Sequence, residues 1–330
     1  MKTKSTLLLI VLCLILAGGV LFMQSKNTTT EETVKIGVLQ SWILEGPFYV
    51  AQEQGFYEEE GIQAEIIEFG SVDEFAPAII SEEVLVAELI ADMFIVQAAQ
   101  EPGITQILRK ATIFGVDGIL ATDDIQSAGD LKGKEIAVQT VSPSHYLLLN
   151  YLRDGGVSSD EVTLLPTEAG NAGAAFVAGN VDVAVTWEPW LSRATEREDG
   201  QILFSTADSP ELIYDILITR DDLDEAEQEQ VKAVLRAWFK ALDWMDEHPE
   251  ETITIFAESL GLPEEEIEFF FTMLEFMDLD ENLDFYGTND QLGPVEEYTE
   301  NAAQIWLEEG IIETKPNTSD IIDASYLNDL

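Results

Sequence analysis

Between Val34 and Gln100 the chain alternates three times between a short β-branched run and a helical stretch. Val34–Leu39 (VKIGVL), Gly61–Ile67 and Val84–Ile90 read as strands. Pro47–Gln54 (stopped by Gly55), Asp73–Ser81 and Met93–Gln100 (ended by Pro102-Gly103) read as helices. Parallel strands need long crossovers, usually helical, so this rhythm predicts an α/β sandwich with a largely parallel sheet.

The rhythm restarts farther along. Gly118–Thr122, Glu135–Gln139, Val162–Leu165 and Asp182–Thr186 are predicted strands, with helices at Ala128–Leu131, Ser144–Asp154, Asn171–Val177 and Pro189–Arg197. Tyr214–Thr219 adds one more strand. From Asp224 the pattern turns helical: Gln230–His248 carries Val231, Val234, Leu235, Trp238, Phe239, Leu242 and Met245 at helical spacing. Ile253–Leu260, Glu264–Met277 and Pro294–Glu309 follow, and Phe269-Phe270-Phe271 is expected in the core. No residue-level repeat of 20–50 residues is visible. The fold class is therefore α/β, with two units and a helical C-terminal region. Gly118–Thr122 and Tyr214–Thr219 bracket the second unit and suit two strands crossing between lobes, with the tail folded onto the first.

Charge restricts the partners. The chain has 64 Asp+Glu against 16 Lys+Arg, a formal charge of −48, with every carboxylate at or after Glu31. Phosphate backbones repel such a chain, so no nucleic-acid partner is expected. At 46% hydrophobic, it can still fill a core. At the N-terminus Lys2 and Lys4 precede an apolar run, Leu7–Met23, and then a polar spacer, Gln24–Glu32. This suits a signal peptide or a short membrane anchor, and the lack of an Ala-x-Ala site favours the anchor. Leu16-Ala17-Gly18 resembles the start of a lipobox, but Gly19 stands where the lipidated cysteine belongs. Cys13 is the only cysteine, so the exported part has neither a disulfide framework nor a cysteine metal site.

Thr186-Trp187-Glu188-Pro189-Trp190 follows the apolar run Val181–Val185. Strand ends of this kind lie at the rim of an α/β sheet, where ligands bind. The indoles can stack on a flat solute while Glu188 accepts from its donors, or both indoles are core and Glu188 caps a helix.

Five stretches in order carry a resemblance to a known family: Phe48–Ile62 (FYVAQEQGFYEEEGI), Asp130–Val138 (DLKGKEIAV), Ser144–Leu148 (SHYLL), Ala178–Trp190 (AGNVDVAVTWEPW) and His248–Glu251 (HPEE). In these the chain resembles the solute-binding proteins of ABC importers in the nitrate/sulfonate/taurine group, which includes thiamine-pyrimidine binders. The resemblance implies a two-lobed, hinged fold of the periplasmic-binding-protein type II class. Lobe one would be 34–120 plus 221–330 and lobe two 121–220, with residues 1–33 as signal or anchor and spacer. It implies an extracytoplasmic monomer that uses no cofactor or metal and delivers a small molecule from its cleft to a permease and its ATPase. Hinge closure on the ligand is the expected motion.

Cleft residues are then expected after strand C-termini and at helix N-termini. Gln40 and Ser41 offer hydrogen bonds and Trp42 a stacking wall. Gly70 and Ser71 offer backbone N–H groups. Asp92 follows the third strand, as ligand contact or helix cap. Thr140, Ser142, His145 and Tyr146 open a helix whose N–H groups and hydroxyls suit an oxyanion or a ring carbonyl. Asn171 opens the next helix. Trp187 and Glu188 are the main candidates, and Trp190 is assigned to packing. No candidate is Lys or Arg, which favours a neutral or cationic, flat, donor-bearing solute such as an aminopyrimidine over a sulfonate-type anion. The alternatives are a ligand-sensing domain or an enzyme of the same fold. Against the enzyme, no Ser-His-Asp set, phosphate loop or His-Glu-x-x-His is present.

The dispersed acidic residues suit a saline or alkaline setting, where salt screens their repulsion. The melting temperature is expected to rise with added salt; thermal unfolding at low and high NaCl checks this, and an unchanged value contradicts it.

Overall fold

Strand β1 (Thr33–Leu39) is buried continuously from Ile36 to Val38, as a strand covered on both faces must be. The computed structural model describes residues 33–330. The apolar run Leu7–Met23 and the spacer to Glu32, assigned above to signal or anchor, lie outside the described residues. Among the described residues no helix is long and apolar enough to cross a membrane.

Two five-stranded sheets organise the chain. The first has the order β2 (Gln63–Phe69), β1, β3 (Val86–Ile90), β11 (Asp215–Arg220), β4 (Ile104–Arg109). The second has the order β8 (Thr163–Pro166), β7 (Glu135–Val138), β9 (Val183–Trp187), β6 (Asp117–Thr122), β10 (Gly200–Ser205). The pairings match. β1 runs parallel to β3 as β7 does to β9. β11 is antiparallel to β3 and β4, as β6 is to β9 and β10. Each antiparallel strand arrives from the other lobe. The crossovers therefore fall at 114–116 and 206–214, ahead of the expected divisions at 120 and 220, because β6 and β11 are each paired along their length within one sheet.

The helices obey local rules. Helix α1 (Gly46–Gln54) has Pro47 in its first turn, where no N–H is needed, and ends at Gly55 with φ 76°. Gly46 lets α1 approach its neighbour: a Cβ there would fall 2.0 Å from the Phe256 ring. Helices α2 (Phe75–Ile80) and α3 (Ala91–Gln100) flank the first sheet. In the second lobe α4 (Pro143–Asp154) packs Leu147, Leu148 and Leu152 on one face of the sheet, and α5 (Ala169–Val177) packs Ala172 and Phe176 on the other. The C-terminal region contains α6 (Glu225–Glu247), α7 (Pro249–Leu260), α8 (Glu264–Phe271), α9 (Leu279–Tyr286) and α10 (Val295–Glu308). An Asp224/Glu227 capping box starts α6, and its stripe from Val231 to Met245 joins the first lobe's core.

Four expectations are corrected. Pro189–Arg197 is not a helix. It is a run of turns with a 3₁₀ segment at Ala194–Glu196, because the Glu188 carboxylate takes the Ser192 N–H and hydroxyl at 3.0 and 2.8 Å. The helix from Glu264 stops at Phe271, and β12 (Leu274–Phe276) instead pairs with β5 (Ala111–Ile113). Phe269 is 39% exposed rather than core, while Phe270 and Phe271 pack in part. Finally, β4 and β10 are strands that the pattern did not reveal.

Beneath the first sheet's strand ends Lys110 is fully buried. Its ammonium bonds the Glu45 carboxylate at 2.9 Å and the Glu88 carboxylate, and it lies 5.6 Å from the Phe48 and Trp238 ring centres. Burial works against the Lys110 charge, but Glu45, Glu88 and Asp215 outweigh it and hold its pKa above the usual value. Glu45 also accepts from the Leu39 N–H at 3.0 Å, so one cation braces the turn after β1. Lys110→Met removes the cation and leaves two buried carboxylates facing each other. It is expected to cost about 3–5 kcal/mol, read as a lower urea midpoint at pH 7; an unchanged midpoint contradicts the bracing role.

Candidate functional site

The ends of β1, β3, β7 and β9 and the starts of β6 and β11 surround a cavity of about 430 Å³. Both lobes line it. Lobe one brings Gln40, Ser41, Trp42, Ile90 and Asp215; lobe two brings Asp117, Gln139, Ser142, Ser144 and Trp187. Ile113, Val116 and Ile213, on or beside the crossovers, close its apolar floor.

Two loops in equivalent places build the walls. After β1, Ser41 takes φ 57°; after β7, Val141 takes φ 53°. A left-handed non-glycine residue costs roughly 1 kcal/mol or more and persists where surrounding contacts hold it. Trp42 is held by its indole N–H, which donates to Asp215 Oδ2, and by an edge contact with Phe270 at 6.4 Å between ring centres. Trp187 ends β9 directly opposite Asp117 in the ladder.

Asp117 and Asp215 are the first residues of the two antiparallel strands. Asp215 is 1% exposed and Asp117 is half-buried. Burial, then Glu88, pushes the Asp215 carboxyl up to about 7, with Lys110 and Trp42 pulling the other way. Burial, then Asp215, pushes Asp117 up to about 7. Among the described residues no Lys, Arg or His lines the cavity. Both second-lobe helix N-termini at the cavity are capped from within. At α4, Ser142 Oγ takes the His145 N–H at 3.3 Å and Pro143 has no N–H. At α5, Glu168 takes the N–H groups of Gly170 and Asn171, each at 3.0 Å. The result is an apolar, indole-walled cavity with two carboxylates, suited to a flat or compact solute that brings donors or positive charge.

The structure brings together five of the expected site residues: Gln40, Ser41, Trp42, Ser142 and Trp187. It does not bring the others there. Glu188 is buried and spent on Ser192. Gly70 and Ser71 are exposed and form a cap with Glu74. Thr140 and Asn171 are exposed. His145 is buried: its Nδ1 accepts from the Val141 N–H and its ring lies 5.7 Å from Trp306. Burial pushes its pKa down to about 4. Tyr146 and Asp92 line a separate groove between α4 and α10. Trp190 packs against Gly173, where a Cβ would approach within 2.4 Å, in keeping with its packing assignment. Sequence reasoning missed Asp117 and Asp215. Their one signal is an acidic residue opening an otherwise apolar strand.

Asp92 is 2% exposed and neither carboxylate oxygen has a hydrogen-bond partner among the described residues. Burial, with Asp117 and Asp215 nearby, pushes it up to about 8. The folded chain therefore holds this proton from about pH 4 to pH 8 while the unfolded chain releases it, so the group's contribution makes stability fall across that window as pH rises. Asp92→Asn is expected to flatten the fall and raise the melting temperature at pH 8 by about 2–4 °C, equivalent to about 1 kcal/mol. Thermal unfolding at pH 5 and pH 8 checks this, and an equal or lower melting temperature at pH 8 contradicts it.

A putative aliphatic sulfonates-binding protein of Bacillus subtilis (strain 168) is 26% identical over 276 residues, 80% of this chain and 81% of that one. The taurine-binding periplasmic protein of Escherichia coli (strain K12) is 28% identical over 233 residues, 67% and 72% of the two chains. The crystal structure of the periplasmic aliphatic sulphonate binding protein SsuA from Escherichia coli superposes with a TM-score of 0.72 at 19% identity, covering 90% of this chain and 99% of that one. The desulfurization enzyme DSZB also shares the fold, at TM-score 0.61 and 16% identity over 90% and 98% of the chains, so the fold alone does not separate binding from catalysis. The fold is the two-lobed periplasmic-binding-protein type. The family model described as NMT1/THI5 like matches residues 45–252, well over half the chain, and the chain belongs to that family.

Proposed function

We propose that this chain is an extracytoplasmic solute-binding protein that captures a small organic solute between its lobes and delivers it to the permease of an ABC importer. The observation that carries this reading is the cavity lined from both lobes by Trp42 and Trp187, at strand ends beside the two crossovers. A ligand held by both lobes favours their closure over the open state, and closure is what a permease can recognise. Similarity to sulfonate- and taurine-binding proteins supports the role. The relatives are named as binding proteins, which favours a carrier over an enzyme.

The solute is a flat or compact molecule with hydrogen-bond donors, an aminopyrimidine-like heterocycle being the model. A sulfonate-type anion is the second reading, favoured by the relatives' names. The lining opposes it: among the described residues it has no cationic side chain, the two helix ends are capped internally, and two carboxylates face the space.

Titration of an aminopyrimidine, taurine and ethanesulfonate, followed by tryptophan fluorescence and calorimetry, tests the reading. The aminopyrimidine is expected to bind and quench, while a response to the sulfonates alone reverses the solute assignment. Trp187→Ala is expected to weaken binding at least tenfold, about 1.4 kcal/mol, consistent with the loss of one stacking wall. Glu188→Gln is expected to leave affinity within about twofold, because that carboxylate serves Ser192. Equal loss in both variants contradicts the wall assignment.

A further inference from the structure

We infer that the solute carries a full positive charge: the structure assigns Trp42, Trp187, Asp117 and Asp215 as a box for an organic ammonium group. This rests on the reading of the interlobe cavity as the solute site and narrows it. Four observations converge. First, Asp215 is 1% exposed and lines the cavity, and only its Oδ2 is bonded, to Trp42. Neither its Oδ1 nor either oxygen of the Asp117 carboxylate has a hydrogen-bond partner among the described residues. Second, the two aspartates hold equivalent positions in the two sheets, Asp215 opposite Ile90 and Asp117 opposite Trp187, so each lobe brings one carboxylate to the same space. Third, the buried cation that acts on Asp215, Lys110, is already matched by Glu45 and Glu88 and does not line the cavity. Fourth, the two indoles are the electron-rich surfaces that attract an ammonium group, an interaction that strengthens when water is excluded.

A neutral donor would use these carboxylates less well. The Asp215 charge raises the Asp117 pKa, and a cation between them relieves burial and repulsion together. The charged groups that set the field at the pair are Glu88, Lys110 and Asp92, with the Trp42 N–H on Asp215. Cation binding therefore favours the ionised aspartates and releases protons below about pH 7. Affinity for a permanent cation is expected to rise as pH rises from 5.5 to 8.

The test compares choline with 3,3-dimethyl-1-butanol, which has the same shape without the charge, alongside tetramethylammonium, a neutral aminopyrimidine and ethanesulfonate. Full-chain protein is titrated by calorimetry and tryptophan fluorescence. Choline is expected to bind at least tenfold tighter than the alcohol, with at least a tenfold gain between pH 5.5 and pH 8. Asp117→Asn and Asp215→Asn are each expected to lower choline affinity at least tenfold while leaving the weak affinity for the alcohol unchanged. Because Asp215 also holds Trp42, the Asp117 variant and the wild-type pair of ligands stand if the Asp215 variant misfolds. Equal binding of choline and the alcohol, or no binding of either cation, overturns the proposal. If the aminopyrimidine or ethanesulfonate binds instead, the carrier reading survives and the charge assignment falls. If no ligand of any charge binds or changes the fluorescence, the cavity is not the solute site and both fall.

Discussion

The rest of the structure depends on one buried cation. Lys110 joins Glu45 in the turn after β1, Glu88 on β3, and through its backbone Asp215 on β11 and Met277 after β12. Those four segments carry one wall of the cleft and anchor the C-terminal region to the first sheet. Desolvating a lysine is expensive, and the Coulombic return holds only while both carboxylates stay in place. The arrangement brings geometric precision beneath Trp42, and it uses up the cation that an anionic ligand would need.

Above that cluster the two lobes present one topology twice. Each sheet receives its antiparallel strand from the other lobe, and each such strand opens with an aspartate at the cavity rim. The crossovers at 114–116 and 206–214 thus connect the lobes and also deliver the two carboxylates. Movement at the crossovers would change the separation of Asp117 and Asp215. A cation bound between them would then bias closure through differential contact with the open and closed states.

Much of the fold was legible in the sequence. The β-α rhythm of 34–100, the covered strand VKIGVL and the long amphipathic α6 follow from burial patterns that local residues set. The strands β4 and β10 were not legible. β4 buries Gln106 and Arg109, whose partners Thr299, Asn282 and Glu211 lie far off in sequence, so its polar residues disguise a core strand. β10 lies at the sheet edge and leaves Ile202 47% exposed. Of the candidate site, Trp42 and Trp187 were legible because large aromatic residues at strand ends are rare enough to notice. Glu188 was misleading because a carboxylate beside tryptophans resembles a ligand acceptor until Ser192, four residues on, claims it. The topological repeat left no residue-level trace, so nothing in the sequence paired Asp117 with Asp215.

A crystal structure of the protein with whatever solute accompanies it through purification tests the central claim most directly. Ligand density is expected between the Trp42 and Trp187 rings, with a positively charged nitrogen in contact with Asp117 and Asp215. Density in the groove of Asp92 and Tyr146, or an oxyanion seated at Ser144 away from both aspartates, would contradict it.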